Sequence, residues 1–315
     1  MAEIRRVLVT GGCGFIGSNL LRFLAGNSSW DLRVLDDLRT GKADHVPPDL
    51  AEVRVGSVTD PQALAGALDG VDAVIHLASQ TGVQPSVENP AGDFEGNLTP
   101  TFRVLEACRG LGIATVVFAS SGAAVGEVPP PIHEQVVPRP LSPYGASKLA
   151  GEAYCQAFAA SFGMRTVALR FSNVYGPFSE NKRNAVPNFI KESLQRRPIV
   201  IYGDGTQTRD FIYVEDLCSA IRLALTTTQE IGGEVFQLAT GEETAIVEVA
   251  KLAQEITGSD AGIRLEPKRS GEVYRSRADI SEIRRVLGFE PAVGLGEGLT
   301  RTAAWYREHW LPPPA

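Results

Sequence analysis

The first half of the chain alternates short, unbroken apolar runs with longer stretches whose apolar residues recur every three or four positions. Arg6-Val-Leu-Val-Thr10, Leu32-Arg-Val-Leu-Asp36, Glu52-Val-Arg-Val55, Ala73-Val-Ile-His-Leu77 and Thr115-Val-Val-Phe-Ala119 read as strands. Between them, Gly17–Ala25, Asp60–Leu68 and residues 97–111 read as helices, Asp60 being a plausible N-cap with Pro61 at the first helical position. A long helix over Ser147–Phe162 and a strand over Arg165-Thr-Val-Ala-Leu-Arg170 follow. Strands that alternate with helices predict an α/β fold: a parallel sheet covered on both faces, with right-handed crossovers. Beyond about residue 175 the pattern loosens at Gly176-Pro177 and Gly203-Asp-Gly205. The expected division is therefore a nucleotide-binding part over 1–175 and a smaller, mixed α/β substrate-binding region over 176–315. Two short segments of the second part are expected to return to the main sheet. The tail Leu311-Pro-Pro-Pro-Ala315 should be frayed.

Composition narrows the class. Hydrophobic residues make up 43% of 315, enough to bury a sizeable core without disulfide or metal staples. Cys13, Cys108, Cys155 and Cys218 show no paired spacing and read as reduced thiols. His45, His76, His133 and His309 form no metal-ligand pattern, so no metal is expected. A net charge of −7 argues against a nucleic-acid surface, although a few local arginines could still hold an anionic substrate. No apolar run reaches the roughly 18 residues of a membrane span, and no leader pattern precedes the first strand. A cytoplasmic protein with no membrane partner is expected.

Gly11, Gly14 and Gly17 follow the first strand and open a helix. That context suits a dinucleotide: one glycine for the tight turn, one for close approach of the pyrophosphate, one for helix–strand packing. The helix N-terminus offers unpaired N–H groups to the phosphates. Asp36 ends the second strand, where a carboxylate can accept from an adenosine ribose and would repel a 2′-phosphate. NAD is thus expected rather than NADP.

Tyr144-Gly-Ala-Ser-Lys148 sets a phenol and an ammonium one helical turn apart on one face. An ammonium about 4 Å away would favour the phenolate by roughly 4 kcal/mol at an effective dielectric of about 20. That is about three pKa units, enough to bring the phenol toward neutrality. Alone, this spacing is common.

It does not stand alone. Thr10-Gly-Gly-Cys-Gly-Phe-Ile-Gly17, Ser120-Ser121, Ser142-Pro-Tyr-Gly-Ala-Ser-Lys148, Leu169-Arg-Phe-Ser-Asn-Val-Tyr-Gly-Pro177, Tyr202-Gly-Asp-Gly205, Thr208-Arg-Asp-Phe211 and Arg269-Ser-Gly-Glu272 occur in that order. In these the chain resembles the extended short-chain dehydrogenase/reductases, and within them the UDP-glucose 4-epimerase-like group, over nearly its whole length. The resemblance implies a Rossmann-type doubly wound sheet. It makes Tyr144 the base, Lys148 its electrostatic partner and a ribose contact, and Ser121 the residue that relays the sugar hydroxyl proton. It places Phe15 and Ile16 of the glycine loop, Asp37, Thr40, Gly41, Ser57, Val58, Leu77, Ala78, Ser79 and Asn97 around NAD. Asn173, Asn184 and Val186 would line the sugar-diphosphate, Tyr202 the uracil, Arg209 and Arg269 the phosphates, and Glu272 the nucleotide ribose. Arg209 could instead pair with its neighbour Asp210. Relatives commonly form homodimers through two long helices, here 97–111 and 147–162. There Leu105, Leu149 and Phe158 could serve either the interface or the core.

The chain departs from that group in places. Ser57 stands where an adenine-contacting Asp is common, and Val125-Gly126 stands where Tyr-Gly is usual. The stretch after the active-site serine, Ser121-Gly-Ala-Ala-Val125, lacks the acid that lyases of the family carry. This favours C4 epimerisation of a UDP-sugar through a 4-keto intermediate. A decarboxylase or 4,6-dehydratase using Glu88 or Glu180 is the rival, and a non-catalytic NAD sensor a further one. The run Ser179-Glu-Asn-Lys-Arg-Asn184 should border the sugar pocket. It reads first as a solvated loop, with Lys182 or Arg183 meeting a glucuronate carboxylate as the alternative.

Overall fold

The computed structural model describes residues 3–268 and 273–311. Arg269 and Glu272, expected at the nucleotide, lie outside the described residues, as does most of the Leu311–Ala315 tail. Strands β1 (Arg6–Thr10), β2 (Asp31–Asp36), β3 (Glu52–Val55), β4 (Ala73–His76), β5 (Thr115–Ser121) and β6 (Arg165–Phe171) alternate with helices α1 (Phe15–Asn27), α2 (Pro61–Leu68), α3 (Val83–Glu88), α4 (Pro90–Asp93), α5 (Thr99–Leu111) and α6 (Pro143–Phe162). Asp60 caps α2 by accepting from the Gln62 and Ala63 amides, with Pro61 behind it.

Further on lie β7 (Asn173–Tyr175), α7 (Ala185–Leu194), β8 (Ile199–Tyr202), β9 (Thr208–Arg209), β10 (Phe211–Tyr213), α8 (Val214–Thr226), β11 (Glu234–Leu238), β12 (Thr244–Ala245), α9 (Ile246–Thr257), β13 (Ile263–Glu266), α10 (Ser281–Leu287) and α11 (Leu295–His309). The main sheet has seven parallel strands in the order β11-β6-β5-β4-β1-β2-β3. The chain runs outward from β1 to β3, then crosses to β4 on the other side of β1. That reversal opens a crevice at the carboxyl ends of β1 and β4, where doubly wound sheets bind ligands. Of the two segments expected to return to the main sheet, one does among the described residues: β11 lies beside β6, and α8 packs on α1. Three two-stranded pairings, β7 with β10, β8 with β13 and β9 with β12, make up the strands of the looser part.

Neighbouring residues of one strand enter different cores, as a sheet covered on both faces requires. Val7, Val9, Val117 and Ala119 join one cluster, and Leu8, Val116 and Phe118 the other. Leu105 and Phe158 belong to the second core. Among the described residues no helix is long and apolar enough to cross a membrane.

Two helices begin earlier than their apolar pattern suggests. α6 starts at Pro143, because Ser142 accepts from the Gly145 amide at 3.1 Å and the proline follows as first helical residue. The helix read over 97–111 is preceded by α4 and a π-helical turn over Phe94–Leu98. Such turns recur at functional sites.

Candidate active site

The glycine loop is held from both sides through Cys13. Its amide donates to Asp36 Oδ2 at 2.9 Å, and its carbonyl accepts from the Lys42 amide at 3.1 Å. Gly11 has φ +71, and a Cβ there would stand 2.7 Å from the Ala78 amide nitrogen. A Cβ on Gly41 would meet Cys13 backbone at the same 2.7 Å. The loops after β1, β2 and β4 thus touch backbone to backbone, and only glycine fits. The first turn of α1 carries no side-chain cap at Gly14, which leaves its amides for an anion. Phe15 points into the core, so it offers a ligand backbone rather than side chain. Cys13 is wholly buried and its thiol is pushed up to about 12 by burial, so it packs rather than reacts.

Asp36 is buried, with Oδ1 accepting from the Leu38 amide at 2.9 Å. Burial raises its pKa while these two amides oppose the rise. Asp37 pairs with Arg39 at 3.0 Å, and Thr40 is exposed. Ser57 bonds Thr59 Oγ1 at 2.8 Å, whereas the Val58 side chain is buried in the second core.

Behind the loop after β4 runs a continuous chain of hydrogen bonds. The Ala78 amide donates to Thr10 Oγ1 at 3.3 Å, Thr10 Oγ1 lies 2.7 Å from His76 Nδ1, and Thr101 Oγ1 lies 3.3 Å from Nε2 and donates to the Asn97 carbonyl at 2.8 Å. With Thr10 accepting from Ala78 and Thr101 donating to Asn97, a neutral imidazole protonated at Nε2 satisfies every member. Burial, with the nearby Lys148 charge, lowers His76 to about 3. Asn97 receives Ser79 Oγ at 2.7 Å and the Gln80 amide at 2.8 Å, and donates to the Gln80 carbonyl at 3.0 Å and Asp93 Oδ1 at 2.7 Å. It anchors the wall of the groove with all its polar capacity.

Ser121, Tyr144 and Lys148 converge at the carboxyl edge of β5. Gly145 lies against the Ala123 carbonyl, with no room for a Cβ, and Gly151 lies against the Phe118 ring. These contacts seat α6 on the turn after β5 and bring the Tyr144 phenol into hydrogen bond with Ser121. Lys148 is buried, donates to the Ala119 carbonyl at 2.9 Å, and stands 5.7 Å from the Tyr144 ring centroid. The strongly depressed phenol pKa expected from the spacing is absent here. Burial pushes Tyr144 up to about 12, the Ser121 bond opposing and Asp93 adding to the rise. The reason is desolvation: the phenol is enclosed, and burial disfavours its charged form. Lys148 itself is lowered to about 8 by burial, against Asp93 and with help from Lys182.

Asp93 was not singled out from the sequence. It is buried, its Oδ2 accepting from Ser147 Oγ at 2.6 Å and Oδ1 from Asn97. The signal that could have found it is its i, i+4 spacing to Asn97, a residue already expected at the cofactor. Glu88 is exposed, and Glu180 binds Lys42 at 2.9 Å and faces His45 at 3.4 Å. Val125 is wholly buried and Gly126 has φ +82 against the Arg139 carbonyl, so a packed valine fills the place of the usual tyrosine.

Toward the sugar side, Asn173 Nδ2 donates to the Asp210 carbonyl at 3.3 Å, exposed Asn184 precedes α7, and Val186 is buried in the first turn of that helix. Tyr202 ends β8 and its carbonyl accepts from Gln207 at 2.7 Å. Arg209 donates to the Thr208 carbonyl at 2.7 Å. Asp210 is fully buried, with its carboxylate taken by the Thr240 amide and hydroxyl and the Gly241 amide, so the alternative Arg209–Asp210 pair does not form. The charged run is not simply solvated: Arg183 is exposed, but Lys182 folds inward to Thr81 Oγ1 at 3.0 Å.

A wound sheet with a glycine cradle, an acid ending β2 and a Ser–Tyr–Lys set defines a nicotinamide-dependent enzyme. The model of the NAD dependent epimerase/dehydratase family matches residues 7–239, and the chain belongs to that family. It is 35% identical to a UDP-glucose 4-epimerase of Mycolicibacterium smegmatis, over 96% of this chain and 98% of that protein. The UDP-glucose 4-epimerase of Thermotoga maritima, solved with UDP-glucose, superposes with a TM-score of 0.91 at 34% identity, covering 96% of this chain and 99% of the other. That of Thermus thermophilus, solved with NAD, does so with 0.90 at 36% identity and the same coverage. NAD is the cofactor, and the glycine cradle and Asp36 fit it.

Proposed function

We propose that this protein is a nucleotide-sugar C4 epimerase acting on UDP-glucose and UDP-galactose or on their uronate counterparts. One observation carries the reading: Ser121, Tyr144 and Lys148 converge, while the residues directly after Ser121, Gly122 to Val125, include no acid. Asp93, the acid that does lie near, has each oxygen occupied by Asn97 or Ser147.

NAD, when bound, supplies the hydride acceptor for C4 and a positively charged ring. Tyr144 takes the O4 proton, with Ser121 relaying it from the sugar hydroxyl. Lys148 holds positive charge beside the phenolate that forms. The resulting 4-keto sugar turns about its diphosphate, held by Arg209 and its neighbours, so that C4 regains its hydride on the opposite face while Tyr144 returns the proton to O4. General acid–base transfer of this kind contributes about 10²–10⁴-fold.

The enzyme is proposed to be cytoplasmic and to work as a homodimer. Leu111, Tyr154 and Phe162 on α5 and α6 are 58%, 39% and 52% exposed, an apolar strip suited to a second copy. Sedimentation showing only a 33.7 kDa species at micromolar concentration would sink the dimer.

Proton NMR of separate incubations with UDP-glucose, UDP-glucuronate and UDP-N-acetylglucosamine, with Tyr144→Phe as control, tests the reaction. A C4 epimer at constant sugar mass, absent in the variant, supports it. A pentose or keto-deoxy product makes the protein a lyase, and no turnover with NAD retained makes it a sensor.

A further inference from the structure

The segment after β7 crosses the carboxyl edge of the sheet. At one end the Pro177 carbonyl accepts from Asn19 Nδ2 at 2.9 Å, and Glu180 holds Lys42 from the loop after β2. Two residues on, Lys182 reaches Thr81 in the loop after β4. Glu180 thus ties the segment to the adenosine side of the groove, and Lys182 enters the catalytic side.

The surroundings of Lys182 are unusual for a lysine. Burial lowers its pKa, and its charge bears on Lys148. Its ammonium makes one hydrogen bond, to a neutral hydroxyl, and among the described residues no carboxylate pairs with it. A partly desolvated cation that lacks a counter-ion is unfavourable in the free protein. An anion entering the pocket would offset that penalty. Thr81 follows Ser79 and Gln80, which are bonded to Asn97, and Asn97 is bonded through Asp93 to Ser147 on the helix that carries Tyr144 and Lys148, so Lys182 stands on the side of the groove toward the reacting end of the sugar. In a hexopyranose the carbon next to C4 carries C6, and in a uronic acid C6 is a carboxylate.

The geometry points to Lys182 as the residue that selects a nucleotide-uronate, its ammonium held by Thr81 to pair with the C6 carboxylate. This rests on the C4-epimerase reading for the orientation of the sugar, and it makes UDP-glucuronate the preferred substrate over UDP-glucose. The exposed neighbour Arg183 has no part in it.

The test separates binding from turnover. Calorimetric titration of the NAD-loaded Tyr144→Phe protein with UDP-glucuronate and UDP-glucose gives the ratio of their affinities. A charge-assisted bond predicts a preference of about ten-fold or more for the uronate. Lys182→Met and Lys182→Gln, each checked for an unchanged melting temperature, should bring the ratio to near one, while Arg183→Met keeps it. Equal affinities in the Lys182 protein, or a preference that survives both Lys182 variants, overturn the assignment. Product analysis of the Tyr144 enzyme judges the reaction independently: a pentose product sinks the epimerase reading while the affinity ratio still decides Lys182. If neither nucleotide sugar binds, both fall.

Discussion

The Cys13 amide donates to Asp36 Oδ2 across 23 residues, so one carboxylate shapes the glycine loop and is also the group proposed to hold an adenosine ribose. The two roles predict a compound effect. Asp36→Ala should weaken NAD binding by about ten-fold or more, since bonds to a charged acceptor are worth roughly 1.5–3 kcal/mol. Fluorescence titration of the cofactor-free protein measures it, with NADP as comparison. An unchanged NAD affinity would refute the ribose role even if stability dropped.

Asp93 bears on both Tyr144 and Lys148. Its negative charge raises the pKa of Tyr144 and of Lys148, so Asp93→Asn should lower both from about 12 and about 8. In the cofactor-free protein, nitrogen NMR of the lysine ammonium and tyrosinate absorbance report the two shifts. Tyr144→Phe and Lys148→Met identify the signals. If only one of the two groups moved, Asp93 would not act on both.

His76 should make the protein acid-sensitive. Its folded value of about 3 lies below the ordinary 6.5. Between these values the unfolded chain binds more protons than the native one, so stability is present above about pH 6.5 and is lost as pH falls toward 3. The slope contributed is up to about 1.4 kcal/mol per pH unit. Urea melts across that window should show a shallower pH dependence for His76→Gln than for the parent, alongside lower stability near neutrality. Parallel slopes would assign the acid loss to carboxylates alone.

Glu152 on α6 binds Arg170 on β6 through two bonds of 2.9 and 2.8 Å, with side chains 3% and 4% exposed. Ser120 also donates to this carboxylate. Breaking the pair with Glu152→Gln should cost about 3–5 kcal/mol, because an arginine is left buried without its counter-ion. The double variant Glu152→Met with Arg170→Met should recover part of that loss in denaturant melts. A double variant less stable than either single one would contradict this account.

The sequence determined the alternating βα order, the glycine loop, the acid ending β2 and the Tyr144–Lys148 pair. Each is local: a strand period, a turn that only glycine fits, a spacing of four on a helix. The Asp60–Pro61 helix start was legible for the same reason. What tertiary structure decided are relations between distant segments. The Lys148 ammonium finds the Ala119 carbonyl of β5, and burial, which the four-residue spacing does not encode, raises the Tyr144 phenol. Asp93 and His76 matter through partners on other elements. Asp210 could not be told from a partner of Arg209 until the loop after β11 closed on its carboxylate. Lys182 reads as a solvated charge in a charged run, and only the crossing of that run over the sheet edge brings it to Thr81, 101 residues away. Side-chain charge is written in the chain, but its direction and its desolvation are set by neighbours that only folding supplies.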